Sequence, residues 1–287
     1  MNGTHRLRTA CLGVLTLALS AAPPGAWAED SGDVGFVSKG DRLPNDKVIN
    51  VVDVRRVQPL LAALPEGHRL RVEFTTIPSA TTGYQRDTRF IHRVVALGPG
   101  DKPDGPEVNY TDWYRHCSRT ATYTNGVLDG VEQQFDVESG VVVAETPWVK
   151  GAIHGVKRTF HPNGKLANET TYEKGVIKGI SRSYTDEGQV SRIVPFVGGE
   201  REGDTTDYWP ENPAVVKQVL PYHKGKVDGV AKAYYLSGKL KWERPFKDNR
   251  QHGIEKQYAV DGTVEKTVYW LNGDSMTAEE YKKQGGK

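Results

Sequence analysis

The sequence has little cysteine, almost no net charge and no long hydrophobic run. Its 287 residues include only 2 cysteines, so a disulfide scaffold is excluded. The formal net charge of +2 is too small to build the field that non-specific nucleic-acid binding requires, and we expect no nucleic-acid partner. No stretch approaches the ~20 apolar residues that span a bilayer, so we expect no integral membrane segment.

The composition is that of a folded protein. Hydrophobic residues make up 37% and charged residues of both signs 26%, which excludes a disordered chain. The 31 glycines do not recur at every third position, which excludes a collagen-like fibre.

Residues 1–28 have the pattern of a cleavable signal peptide. Arg6 and Arg8 form a basic start, an apolar run follows, and the small residues Ala26 and Ala28 mark a cleavage site after Ala28. This pattern predicts export to the bacterial periplasm, with secretion as the alternative. Cleavage would leave 36 basic and 36 acidic side chains, a net charge of zero.

Cleavage would also leave Cys117 as the single thiol. One cysteine cannot form an internal bridge, so the fold must hold without disulfides. Because neighbouring residues of a strand point to opposite faces, His116 could not activate Cys117 directly. We expect a buried thiol, although the sequence does not show whether it has a role.

A unit of about 24 residues recurs from Tyr123 to Gly273. Each unit has a leading aromatic residue, a first glycine three residues later, a second glycine four residues after that and another aromatic five residues further on. The leading aromatics are Tyr123, Trp148, Tyr172, Phe196, Tyr222, Phe246 and Trp270. The glycines are Gly126, Gly130, Gly151, Gly155, Gly175, Gly179, Gly199, Gly203, Gly225, Gly229, Gly253 and Gly273.

Each unit reads as two strands. The residue after the second glycine and the following aromatic are separated by an even offset, as in Val156 and Phe160, so they share a face. A turn ending in glycine follows, and the second strand places an apolar residue six positions before the next leading aromatic, as in Val142 and Trp148. Six is also even, so we expect these two to share a face. The two-glycine stretch is then the wider link between hairpins.

The paired glycines do not fit a phosphate-binding loop. Such a loop needs a following helix, and a protein has one of them rather than six. We therefore interpret these glycines as turn residues. Two irregularities also fit turns: Asn249 occupies a first-glycine position, and the fourth unit inserts a Pro-rich segment at Pro210 to Pro213, which we expect to be a loop.

This pattern of aromatic and glycine spacing resembles the MORN repeat, in the bacterial variant known as the YwqK-type antitoxin repeat. The resemblance covers Tyr123 to Gly273, about six and a half units. It implies a mainly β fold: an elongated single-layer antiparallel sheet of consecutive β-hairpins. The strand spacing predicts the same hairpins independently.

The flanks do not repeat. We predict a small α+β cap over residues 29–122 that covers the first edge of the sheet: a loose arm from Glu29 to Asp46, a helix around Val57 to Leu64, strands at Leu70 to Phe74 and Phe90 to Leu97, and a loop from Gly98 to Pro106. Residues 123–273 form the repeats. Residues 274–287 form a tail with a short helix, which opens with capping-box spacing at Thr277 and Glu280.

No catalytic, cofactor or metal site is predicted. The histidines lack metal-ligand spacing, and we interpret the recurrent Glu145, Glu169 and Glu243 as a solvated face balanced by neighbours such as Lys241 and Arg244. The leading aromatics could form a platform for sugar or lipid, but we favour a core role, because a one-layer sheet must pack its apolar face.

The resemblance and the signal peptide together favour a non-enzymatic immunity protein that binds and blocks a toxic effector; a type VI-secreted phospholipase is one such effector. The alternative is an envelope scaffold that binds phospholipid or cell wall through the repeat sheet. The sequence identifies neither the partner nor the residues that bind it.

Overall fold

The computed structural model describes residues 34–39, 51–77, 88–111 and 116–285. Strand accounts for 64% and helix for 7%, which confirms the mainly β class and the antiparallel sheet of consecutive hairpins. The chain divides into two compact units, unit 1 ending at Ala152 and unit 2 beginning at Ile153. The predicted signal peptide lies outside the described residues.

The described residues of unit 1 include an α-helix and the first strands. The helix is α1 (Val51–Ala62). The strands are β1 (Val34–Ser38), β2 (Arg69–Ile77), β3 (Thr88–Leu97), β4 (Pro103–Tyr110), β5 (Cys117–Thr124), β6 (Val127–Leu128), β7 (Gly130–Phe135) and β8 (Val142–Val149), and β9 (Ala152–Ile153) spans the division between the units. A single 3₁₀ turn, Pro99–Asp101, joins β3 to β4.

The largest buried apolar cluster lies where α1 covers β2 and β3. Val57, Leu61 and Leu64 come from the helix and the residues just after it. They pack on residues such as Leu70 and Val94, which are fully buried. Both strands lie where the sequence predicts them, and the helix overlaps its predicted range but begins six residues earlier and ends before Leu64.

Two predictions for the N-terminal region are wrong. The expected loose arm contains β1, which pairs with β2, while residues 29–33 and 40–46 lie outside the described residues. The expected loop from Gly98 to Pro106 contains the start of β4, which pairs with β3 on one side and with β5, the first repeat strand, on the other. These strands therefore continue the sheet instead of capping its edge. Because β4 pairs with β3 and with β5, its Pro- and Gly-containing segment is held in an extended conformation.

Unit 2 holds the remaining repeats. Its strands are β10 (Gly155–Phe160), β11 (Leu166–Glu173), β12 (Val176–Ile177), β13 (Gly179–Tyr184), β14 (Val190–Val197), β15 (Glu200–Arg201), β16 (Gly203–Trp209), β17 (Asn212–His223), β18 (Lys226–Val227), β19 (Gly229–Tyr234), β20 (Leu240–Lys247), β21 (Arg250–Gln251), β22 (Gly253–Tyr258), β23 (Val264–Leu271) and β24 (Asp274–Met276). The chain then forms α2 (Ala278–Lys283). Thr277 and Glu280 make the predicted capping box.

The two-glycine stretch is a tight turn rather than a wide link. Lys174 and Gly175 have φ of 51° and 83°, the left-handed pair of a type I′ turn, and strand pairing continues on both sides up to Glu173 and Val176. In unit 2 the main-chain N–H of Gly175 also donates to the carbonyl of Ile153, one repeat earlier, at 2.8 Å. The expectation of a wide link was wrong because this turn closes with only two residues.

A register shift breaks the expected parity of each second strand. Phe135 pairs with Val142 and Gln134 with Ala144, so a β-bulge inserts one residue between them. Val142 therefore lies on the face opposite Trp148, and the prediction that they share a face is wrong. The Pro-rich segment of the fourth unit is not a loop either: β16 and β17 extend until Trp209 pairs with Asn212 across two residues.

Candidate binding faces of the hairpin sheet

Each unit presents two faces, which the strand register defines. Directly opposed residues of an antiparallel pair place their side chains on one face, and successive residues alternate. The leading aromatics of a unit thus lie on one face, which we call the aromatic face. The preceding residue lies on the other, which we call the proline face because that residue is Pro147 in unit 1 and Pro195, Pro221 and Pro245 in unit 2.

The leading aromatics do not form a buried core. All seven are half-buried, and the buried apolar residues of unit 2 are few and mostly small, such as Ala231 and Ala233. The leading rings are therefore partly covered rather than fully buried, as the predicted core role would require.

A row of alternating charges crosses the aromatic face of unit 1. Glu73 forms ion pairs with Arg71 and Arg93, each with an N–O distance of 3.0 Å. Arg93 also reaches Glu107 at 2.8 Å, and Arg119 bridges Glu107 and Glu132, each at 2.6 Å. Glu107 is 3% exposed whereas Arg93 is 33% exposed. The arginine side chains therefore lie closer to solvent and cover the buried carboxylate. Every carboxylate here is paired, as burial of charge requires.

The row ends at an indole. Trp148 donates its Nε1–H to Glu132 at 2.8 Å. Burial alone would raise the pKa of Glu132, but hydrogen bonds from Arg119 and Trp148 outweigh burial, and the pKa is lowered. Burial opposes the charge of Arg119, yet its bonds to Glu132 and Tyr123 raise its pKa.

Unit 2 repeats this arrangement. Glu255, 2% exposed, accepts from Arg244 at 2.8 Å and from Trp270 Nε1 at 2.9 Å. Gln257 donates a third bond to the same carboxylate at 2.8 Å. Burial would raise the pKa of Glu255, but these donors lower it. Arg244 thus forms its ion pair with Glu255 on the aromatic face. The expectation that it balances the charge of Glu243 was wrong, because Glu243 lies on the other face.

Sequence reasoning missed both of these sites, although a signal was present. Glu132 and Glu255 occupy the second position after a second glycine, where the other units have Lys157, Ser181, Thr205 and Ala231. Tryptophan is the next leading aromatic only in the units with glutamate. This pairing of residue types across one hairpin indicates direct contact.

The recurrent glutamates lie on the proline face and are half-buried rather than solvated. Tyr184 donates its hydroxyl to Glu169 at 2.6 Å, and Tyr258 donates to Glu243 at 2.7 Å. Burial and then the carboxylate of Glu169 raise the pKa of Tyr184. These Tyr–Glu hydrogen bonds link neighbouring strands, which is a structural role.

The proline face carries exposed apolar side chains in both units. In unit 1, Val131 lies opposite Pro147 and is 52% exposed. In unit 2, Ile180 lies opposite Pro195, and Val230 opposite Pro245, with exposures of 42% and 45%. Exposed apolar side chains that recur along one face of a sheet are typical of an interaction surface.

Each unit covers one end of its proline face with a helix. In unit 1, Val72 and Val94 belong to this face, and α1 packs over them. In unit 2, Tyr269 lies opposite Ile254 on this face, and Tyr281 of α2 packs on it with ring centroids 5.5 Å apart. Tyr281 is 5% exposed, so this contact is well covered.

The remaining candidates are the Cys117 thiol, a metal site and a membrane-spanning helix. Cys117 is buried and not in a disulfide, as expected. Within the described ranges, no group of three or more His, Cys, Asp or Glu side chains is placed to hold a metal ion. In the same part of the chain, none of the helices has the length and apolar character needed to cross a membrane.

Two segments match the family model of the MORN repeat variant, residues 153–174 and 227–248. Each match begins five residues after a leading aromatic, Trp148 of the second unit and Tyr222 of the fifth. The chain is similar to that family over these two segments. No curated protein matches the chain. A sheet of hairpins with MORN-type repeats suggests a binding or scaffold role.

Proposed function

We propose that this protein is a non-enzymatic binding protein of the bacterial periplasm, an immunity protein that blocks a toxic effector. The observation that carries the proposal is the recurrence of exposed apolar side chains on the proline face, Val131 in unit 1 and Ile180 and Val230 in unit 2. Exposed Val and Ile side chains on a rigid sheet give a partner apolar area to bury at little cost in chain entropy.

Two further features support this function. The signal-peptide pattern of residues 1–28 would deliver the chain to the compartment where periplasmic effectors act. The carboxylates of the aromatic face are held in ion pairs, as in the Arg119–Glu132 pair, which suits a structural role. Inhibition would be steric: the protein would occlude the mouth of the effector's active site, and charged residues around the apolar row would set specificity.

The test first looks for an effector gene beside the gene for this protein and then uses its product; absence of any such gene would count against the proposal. The purified protein is added at increasing ratio to that effector, with phospholipase activity on phosphatidylglycerol vesicles as the first assay. We expect tight binding by calorimetry and complete inhibition near one-to-one stoichiometry. Full effector activity at tenfold excess, together with a deletion strain that survives attack by sibling cells, would overturn the proposal.

The envelope scaffold is the competing function. Flotation with phosphatidylglycerol vesicles and sedimentation with peptidoglycan separate the two. Because the chain without residues 1–28 has no net charge, we expect no strong attraction to an anionic surface. Retention by either material without effector inhibition would favour the scaffold.

A further inference from the structure

We infer that the proline face of unit 2 is a docking site for an amphipathic α-helix of a protein partner. This inference rests on the proposed binding function and specifies where, and to what, the protein binds. It concerns the apolar row from Ile180 to Pro245, which we call the unit 2 row.

The unit 2 row crosses six strands and is interrupted once, at Asp204. Ile180 pairs with Pro195, and Val230 pairs with Pro245. Between them, Asp204 pairs with Pro221. The second glycines keep the prolines close to the next hairpin: a Cβ on Gly203 would come 3.4 Å from Pro195, and one on Gly229 would come 3.1 Å from Pro221.

The row leads to a helix contact that the protein already makes. A Cβ on Gly253 would come 3.0 Å from Pro245, and the next residue, Ile254, pairs with Tyr269. Tyr269 is the residue on which Tyr281 of α2 packs. The same face therefore accepts a helix at its covered end, and α1 covers the corresponding face of unit 1. A helix is therefore the kind of element that this face already contacts, at Tyr269 beyond the end of the row.

The dimensions agree with a helix. Neighbouring strands lie ~4.8 Å apart, so five steps from the strand of Ile180 to that of Pro245 cover ~24 Å. A helix of about 16 residues spans this length at 1.5 Å per residue, and its 5.4 Å pitch nearly matches the strand spacing. Apolar residues at i, i+3, i+4 and i+7 would then meet successive Pro, Ile and Val side chains of the row.

One charge specifies the partner further. Asp204 is exposed in the middle of the row, in the position that holds Ile180 and Val230 in the neighbouring hairpins. An apolar helix stripe laid over it would bury its carboxylate unpaired, which is costly. A helix with Lys or Arg at the centre of its apolar stripe would pair with it instead. The partner helix is therefore amphipathic with one central basic residue.

The experiment measures binding of two fluorescein-labelled 16-residue amphipathic peptides by anisotropy. They share a Leu and Ile stripe and differ at the central position, Lys in one and Glu in the other. The wild-type protein should bind the Lys peptide saturably and more tightly than the Glu peptide, and Asp204→Lys should reverse that order. Because Asp204 is exposed, this exchange leaves the fold intact.

A matched pair of substitutions tests the apolar row. Val230→Asp, at 45% exposure, should weaken binding of the Lys peptide at least tenfold. Val260→Asp, at 57% exposure in a turn outside the row, should change it less than twofold. Equal effects of the two substitutions, no saturable binding, or no reversal by Asp204→Lys would overturn the inference.

Other occupants give different results. A wild-type dimer in sedimentation that Val230→Asp dissociates would assign the row to a second copy of the chain. Vesicle flotation that Val230→Asp abolishes would assign it to lipid. Either result would overturn the inference that a partner helix binds the row. If Val230→Asp leaves effector inhibition unchanged, the immunity function stands and this site fails; if the peptide binds and the effector does not, the site stands and that function fails.

Discussion

The indole N–H of Trp270 donates a 2.9 Å hydrogen bond to the buried carboxylate of Glu255. The same relationship joins Trp148 to Glu132 in unit 1 at 2.8 Å. In each unit an arginine completes the arrangement, so the carboxylate has a cation on one side and a neutral donor on the other. Two buried charges are thus satisfied in a sheet that has little apolar core around its repeats.

Glu255→Gln should destabilise the protein by about 2–4 kcal/mol, because it leaves the half-buried Arg244 without its counter-charge. Urea unfolding followed by tryptophan fluorescence measures the change. Glu265→Gln, an exposed position on β23, is the control and should stay within about 0.5 kcal/mol. Similar losses for both substitutions would show that the buried pair contributes little.

Stability should fall on the acid side of the pH range. Glu132 and Glu255 both have pKa values below their ordinary range near ~4.3, so the folded state favours their ionised form. The stability this contributes is present above the unfolded-state pKa and is lost as pH falls through the lower folded-state pKa. The urea midpoint should therefore drop as pH falls below the ordinary carboxylate range near ~4.3, and less so in Glu132→Gln and Glu255→Gln. A drop of unchanged size in both variants would contradict this assignment.

Asn249 should tolerate glycine better than alanine. It stands in a first-glycine position with φ of 67°, and its Oδ1 accepts from the main-chain N–H of Val227 at 2.6 Å. Asn249→Ala loses that bond and keeps an unfavourable left-handed backbone, at a cost of about 1–2 kcal/mol. Asn249→Gly loses the bond but relaxes the backbone, so its cost should stay below about 1 kcal/mol. Thermal unfolding of the two variants gives the order directly.

Gly253→Ala should be more harmful than Gly262→Ala. Both glycines have positive φ, 125° and 96°, so both substitutions strain the backbone. Only at Gly253 would the new methyl group also come within 3.0 Å of Pro245. Overpacking should add about 1–3 kcal/mol there. The double variant Gly253→Ala with Pro245→Gly removes both the Cβ and the Cγ that the new methyl group would meet and should recover part of this difference, and strict additivity of the two changes would contradict the proposed clash.

The sequence carried enough local information for the repeats and for the separate elements. Val57, Leu61 and Leu64 mark α1 by helical spacing, and the alternation of Leu70, Val72 and Phe74 marks β2. Thr277 and Glu280 identify the start of α2, because a capping box depends only on residues three apart. The constant aromatic and glycine period identifies the hairpins for the same local reason.

The sequence by itself thus determined the hairpin repeat, the turns at the first glycines and the mainly β class, since these depend on near neighbours and on residues that tolerate positive φ. The tertiary structure decided which face each side chain occupies, because one bulge residue before Ala144 moves Val142 to the other face from Trp148. It also decided that β4 continues the sheet, and that Glu132 and Glu255 are buried beneath arginines. These outcomes depend on pairing between strands and on burial, which no local pattern specifies.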